Sequence, residues 1–229
     1  MRKISYPLII VNFKTYLQAT GDQALSLSRT AEHVSLETGA AIGVAPQAIN
    51  LMEIANAVDI PVFAQHIDPC EPGSHTGAML PETVKASGAV GTLINHSEKR
   101  MLLADVETAL QRASKARLAT VVCTNNAAVS QSAAVLSPTM VAVEVPELIG
   151  TGRAISKVQP EVVTRTVDLI RKTNSSVHIL CGAGISSGED VSAALKLDTE
   201  GVLLASAVVC AKDPEKILFE MASAAVREK

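Results

Sequence analysis

The sequence predicts an α/β fold: a single eight-stranded parallel (β/α)8 barrel filling residues 1–229 as one domain. Three observations predict it. Short β-branched runs alternate with longer segments of helical periodicity, and eight runs recur about 29 residues apart, close to the length of one strand–helix crossover. The runs are almost continuously apolar, as parallel strands covered on both faces must be. No Ser/Gly/Pro-rich linker breaks the rhythm.

The strands are expected at 8–13, 41–45, 62–65, 90–95, 119–123, 140–144, 177–181 and 202–205. Between them the helices announce themselves by spacing. Thr20 and Gln23 stand at capping-box distance before the stripe Ala24, Leu27, Ala31 and Val34. Val106, Ala109, Leu110 and Ala113 form a second stripe. Pro160 suits a first helical turn ahead of Val163, Val167 and Ile170. Ser186 and Glu189 repeat the capping-box spacing, and Asp213-Pro214 opens a last helix carrying Ile217, Leu218, Met221 and Ala225. Eight such units either close into a barrel or lie open. An open nucleotide-binding sheet carries glycines after its first strand, and here that strand runs into Asn12-Phe13-Lys14. A closed barrel follows, and its functional residues belong at the C-terminal ends of the strands.

Composition narrows the function. Hydrophobic residues make up 48% of the chain but aromatics only 2%, too few rings for a protein that stacks bases. A net charge of −3 gives no electrostatic footprint for nucleic acid. Arg2 and Lys3 precede the apolar run 8–11, but that run is too short for a secretory leader or a membrane span. Cys70, Cys123, Cys181 and Cys210 lie far apart without a C-x-x-C pair, which reads as buried reduced thiols in a cytoplasmic protein.

The polar residues at the strand ends carry the chemistry. Asn12 and Lys14, two apart, share one face of the first strand, so both can reach the barrel mouth. Lys14 there either brings a positive charge to an anionic substrate or is a solvated loop side chain. His96, at the start of a helical turn, would be kept neutral by the positive helix end. It is either a hydrogen-bond donor to substrate or a structural residue, and Glu98 either pairs with Lys14 or sits in that turn. Glu144 ends an apolar strand, where desolvation raises a carboxyl pKa and makes a better base near neutral pH. The segment 146–152 runs from Pro146 to Gly150 and Gly152 with an apolar middle, the composition of a lid or of an ordinary loop. Cys181-Gly182-Ala183-Gly184 and Ala205-Ser206 end the last two strands, where barrel enzymes frequently hold phosphate.

Taken together, three segments carry a resemblance: Val11-Asn12-Phe13-Lys14-Thr15, Asn95-His96-Ser97-Glu98-Lys99-Arg100 and Ile149-Gly150-Thr151-Gly152. In that order, at those strand ends, the chain resembles the triosephosphate isomerase family. The short length, Ala64-Gln65-His66, the loop Gly73-Ser74-His75-Thr76-Gly77 and Pro146-Glu147-Leu148 resemble its compact archaeal-type branch. The resemblance implies a proton-transfer isomerase of triose phosphates without metal or other cofactor. It implies Glu144 as base, His96 as electrophile and Lys14 as the residue binding substrate charge. Asn12, Ile149, Gly150, Gly184, Ala205 and Ser206 would complete the substrate site. Thr76 would reach into a neighbouring subunit of a homodimer or homotetramer. One departure stands out: Val145 follows the glutamate where the family usually has proline. His66, Asp68 and His75 could suggest a metal site, but their loop reads better as a subunit contact. The alternatives are another phosphate-binding barrel isomerase or epimerase, and a barrel without catalysis that serves as a binding protein.

Overall fold

A computed structural model describes residues 3–228; Met1, Arg2 and Lys229, and with Arg2 half of the basic pair before the first strand, lie outside them. Eight strands are present: β1 (Leu8–Asn12), β2 (Ala41–Ala45), β3 (Phe63–Ala64), β4 (Gly91–Ile94), β5 (Ala119–Thr124), β6 (Met140–Val143), β7 (His178–Cys181) and β8 (Gly201–Leu204). All pairings are parallel, in the order β2-β1-β8-β7-β6-β5-β4-β3. A bridge from Val44 to Val62, with the Val44 amide donating to Pro61 at 3.0 Å, joins the two ends and closes the barrel. Each expected strand is found, with no end displaced by more than one residue. Around them run α1 (Asp22–Thr38), α2 (Leu51–Ala57), α3 (Pro81–Ala86), α4 (Leu103–Lys115), α5 (Ala127–Val135), α6 (Ile155–Val158), α7 (Pro160–Thr173), α8 (Gly188–Leu195), α9 (Ser206–Val209) and α10 (Pro214–Arg227).

Period-two alternation divides the apolar residues between two cores. Leu8, Ile10, Phe63, Leu93, Val121, Met140, Ala142 and Leu180 fill the inside of the barrel. Ile9, Val11, Ile42, Val122, Val141 and Ile179 face outward onto the helices. The stripes of α1 and α4 are buried as their spacing predicts, and in α10 Leu218, Met221 and Ala225 are buried with Ile217 packed against them. The inward parity is what aims the chemistry. Asn12 follows Leu8 and Ile10 on the inner face, Glu144 follows Met140 and Ala142, and Cys123 follows Val121.

Three local expectations need correction. α1 is entered through Gly21, which takes φ +57° and has no side-chain cap, while the Thr20 hydroxyl donates to the Tyr16 carbonyl instead. The capping box of α8 is Ser187 with Asp190, one residue later than Ser186 with Glu189, because Ser187 is the extended residue at the helix entrance. Cys123 and Cys181 are buried, but Cys70 is only half-buried and Cys210 is exposed. Both of those lie in segments that leave the barrel wall, so no strand covers them.

Candidate active site

Lys14 is held where it is by its backbone. Its φ of +45° lies in the left-handed region that a lysine rarely adopts, so neighbours must fix it. The Asn12 side chain accepts from the Lys14 amide at 3.0 Å, and the Gln65 side chain donates to the Lys14 carbonyl at 2.9 Å. The ammonium leans over the barrel mouth with only 11% of its side chain exposed, 2.9 Å from a carboxylate oxygen of Glu98. Of the two readings of Glu98, the ion pair is the one observed. Lys14 is no solvated loop residue.

His96 opens a turn, closed by the Lys99 amide on its carbonyl at 2.8 Å, and no helix begins until Leu103. The expectation that a helix dipole keeps its ring neutral therefore fails for want of a helix. A closer contact orients the ring instead. The Glu98 amide N–H donates to Nδ1 at 3.2 Å, which requires a lone pair there and puts the ring proton on Nε2. The Glu98 carboxylate stands farther from that nitrogen, at 3.5 Å, with its other oxygen on Lys14.

Glu144 is 5% exposed, and its Oε2 has no hydrogen-bond partner among the described residues. His96 Nε2 lies 3.6 Å from that oxygen. Burial raises the carboxyl pKa above its ordinary value, while His96, Lys14 and a hydrogen bond from the Cys123 thiol act the other way. The thiol in turn is pushed well above its usual range by burial and by the carboxylate beside it. Gly182, just after β7, provides the space: a Cβ there would collide with the Glu144 side chain.

These side chains surround a cavity of about 270 Å³. All nine residues named from the sequence line it: Asn12, Lys14, His96 and Glu144 on one side, Ile149 and Gly150 above, Gly184, Ala205 and Ser206 at the far end. At that far end the amides of Gly184, Ile185, Ser206 and Ala207, all cavity-lining residues, donate no hydrogen bond within the described residues, so four donors there are unspent. The sequence reading missed Gln65, Cys123 and Gly182 as supports, and Tyr16, Thr151 and Ser186 as lining residues. Strand parity alone would have found Cys123, since it follows Val121 on the inner face. His66 Nε2 lies 3.1 Å from Asp68, but no group of three or more His, Cys, Asp or Glu among the described residues could hold a metal.

A closed parallel barrel whose mouth gathers an ammonium, an imidazole, a buried carboxylate with one unpartnered oxygen and a patch of free amides is the framework of a barrel enzyme for small anionic substrates. The comparisons narrow that class. Residues 7–223 match the family described as Triosephosphate isomerase. The chain is similar to proteins of that name from Methanobacterium bryantii (52% identical over 95% of this chain and 96% of the relative), Methanothermus fervidus (54%, over 94% and 97%) and Methanocaldococcus jannaschii (55%, over 93% and 98%). The chain belongs to the triosephosphate isomerase family. Its activity is the aldose–ketose isomerisation of triose phosphates.

Proposed function

We propose that Glu144, His96 and Lys14 carry out the isomerisation, and that the unpartnered Glu144 oxygen inside the cavity is the observation on which this rests. Glu144 takes a proton from the hydroxymethyl carbon of dihydroxyacetone phosphate and returns it to the adjacent carbon, giving glyceraldehyde 3-phosphate. His96 donates its Nε2 proton in a hydrogen bond to the oxygens on which the enediolate charge develops, and Lys14 supplies a fixed positive charge beside them. The family is the standard case of a glutamate base beside a neutral histidine, and the Glu98 amide on Nδ1 supports that protonation here. The phosphate is held by Gly150, Gly184, Ala205 and Ser206, with Asn12 and Ile149 shaping the cavity. The free amides of Gly184 and Ser206 favour this assignment. Residues 146–152 act as the lid, which excludes water from the enediolate. No cofactor enters any of these steps. A coupled assay on purified protein, run in both directions, tests the scheme; absence of turnover with either triose phosphate overturns it.

We further propose one domain, a cytoplasmic location and a homo-oligomer, dimer or tetramer. The four free cysteines favour a reducing compartment, and among the described residues no helix is long and apolar enough to cross a membrane. Residues 71–78, with Thr76 near their centre, are all exposed. A hollow of about 330 Å³ lined by Gln65, His66, Met79 and Lys99 shares Asn12, Lys14 and His96 with the main cavity, so a second copy has somewhere to dock. Light scattering that gives the mass of one chain overturns this part.

A further inference from the structure

The two ends of the lid are attached very differently. At its near end the backbone bonds are those of the strand and the lid itself: the Glu144 amide to Thr124 at 2.8 Å, Leu148 to Val145 at 3.0 Å and Ile149 to Pro146 at 3.2 Å. At its far end the contacts run to the turn after β7 and to α8. The Gly152 carbonyl lies 3.4 Å from the Ser186 hydroxyl. The Arg153 carbonyl occupies the space where a Cβ on Gly184 would stand, and the Ile155 amide donates to Ala183 at 3.3 Å. Ser156 donates to the Asp190 carbonyl at 3.4 Å, and the Lys157 ammonium sits 2.8 Å from Asp190 Oδ1.

These ties converge on Asp190. It is 4% exposed, and its second oxygen accepts from the Ser186 amide at 2.9 Å, the Ser186 hydroxyl at 2.9 Å and the Ser187 amide at 3.1 Å. A helix cap needs only part of this. The amide of residue 186, its hydroxyl and the ion pair with Lys157 lie outside capping-box chemistry. The Ser186 hydroxyl has one hydrogen and two acceptors, the Asp190 carboxylate and the Gly152 carbonyl of the lid. The shorter, charge-assisted bond holds it in the structure described, and the lid carbonyl is the alternative within reach. Ser186 also lines the cavity, two residues from the free amide of Gly184.

We propose that Asp190 is a positioning residue for the isomerisation: through Ser186 and Lys157 it fastens the far hinge of the lid to the turn that holds the phosphate end of the cavity. Lid closure and phosphate grip are thereby one event, and the lid swings about its Glu144 end. This rests on the assignment of residues 146–152 as a lid and of the Gly184 turn as the phosphate cradle.

A loosened hinge has a chemical signature. In an enediolate open to solvent the electron pair can expel the neighbouring phosphate. The C–O bond breaks, inorganic phosphate leaves with the pair, and the remaining three-carbon enol tautomerises to a dicarbonyl. No oxidant or reductant is needed. The test uses Ser186→Ala, Ser186→Thr and Asp190→Asn in the full chain, with KM and kcat for dihydroxyacetone phosphate and inorganic phosphate released per turnover. Ser186→Ala and Asp190→Asn are expected to raise KM roughly tenfold, the size of one net hydrogen bond, and to raise phosphate release measurably. Ser186→Thr, which restores the hydroxyl, should return both towards wild type. A fall in melting temperature with unchanged KM and phosphate release reduces Asp190 to a helix cap and overturns the proposal, as does wild-type behaviour in both variants. Glu144→Gln run alongside keeps the two readings apart: if it stays active, the base assignment fails whatever the hinge variants do.

Discussion

Glu144 and Glu200 are carboxylates at opposite ends of the same barrel, and their surroundings differ in the one respect that separates chemistry from scaffolding. Glu200 precedes β8 at the closed end. Arg171 donates to one of its oxygens at 2.6 Å, His178 Nδ1 lies 2.7 Å from the other, and the Ile179 amide adds a bond at 3.2 Å. The Tyr6 ring stacks on His178 with centroids 3.8 Å apart, and burial together with the Glu200 charge pushes the Tyr6 hydroxyl pKa far up. Although burial works against it, His178 and Arg171 hold the Glu200 pKa below its ordinary value. Glu144 is buried more deeply, yet one oxygen is left bare and its pKa is raised. A satisfied carboxylate stabilises the fold. An unsatisfied one is basic, and it costs stability to keep.

The largest expected effect breaks the comparison at its reactive end. Glu144→Gln removes the base and should lower kcat/KM roughly 10²- to 10⁴-fold in a coupled assay. The same variant should melt at a higher temperature than wild type near pH 7.5. Because the folded-state pKa of Glu144 lies above its ordinary 4.5, stability linked to this group is full below 4.5 and is lost as pH rises through the raised value. The melting gain should therefore vanish towards pH 4. An inactive variant with no gain at neutral pH removes the claim that the bare oxygen strains the fold.

Next in size is Lys14→Met, which deletes the charge over the cavity and leaves Glu98 without its partner. Calorimetry with inorganic phosphate should show affinity reduced about 10- to 100-fold, the range of one charge-assisted hydrogen bond. Unchanged affinity would place the ammonium away from the anion.

Glu200→Gln probes the other end. It should leave turnover untouched and cost about 1 kcal/mol at neutral pH, discounted because the group is partly exposed, or about 2–4 °C in a thermal melt. The sign runs opposite to that of Glu144. Stability linked to a depressed carboxyl is full above 4.5 and is lost as pH falls through the lower folded value, so variant and wild type should converge in acid. A loss of turnover would couple the closed end to the mouth and erase the contrast.

This contrast was only half legible in the sequence. Glu144 could be read because a charge at the end of an apolar strand violates a local pattern that any window displays. Lys14 and Asn12 were legible for the same reason, through strand parity. Glu200 was invisible, because its partners Arg171, His178 and Ile179 come from neighbouring units and need the barrel register to meet it. Cys123 could have been placed on the inner face by parity and Gly182 stood in a marked turn, but that each serves Glu144 from an adjacent strand needs the barrel register. The turn at His96 was misread as a helical start because the residues of a turn and of a helix entrance are the same, and only the fold decides whether the chain continues. Capping boxes slipped by one residue at α8 because Ser186-Ser187 and Glu189-Asp190 offer two overlapping spacings.

The smallest effect concerns Val145, where proline was expected. Its φ of −77° already lies within the range a proline ring imposes, and its amide donates no hydrogen bond among the described residues. The preceding Glu144 directly follows β6 and its amide still donates to the Thr124 carbonyl at 2.8 Å, and a following proline favours an extended residue there. Val145→Pro should therefore be accommodated, stabilising the chain by about 0.4–1 kcal/mol through the unfolded state. Val145 is itself 9% exposed, so some packing is exchanged for the ring. Since the far end of the lid is fastened through the turn after β7, stiffening the near end acts on the hinge with the fewest ties. A change in kcat without a change in KM would show that this hinge limits the cycle, whereas a destabilised variant would mean that the Glu144–Val145 backbone departs from the extended path on which the prediction depends.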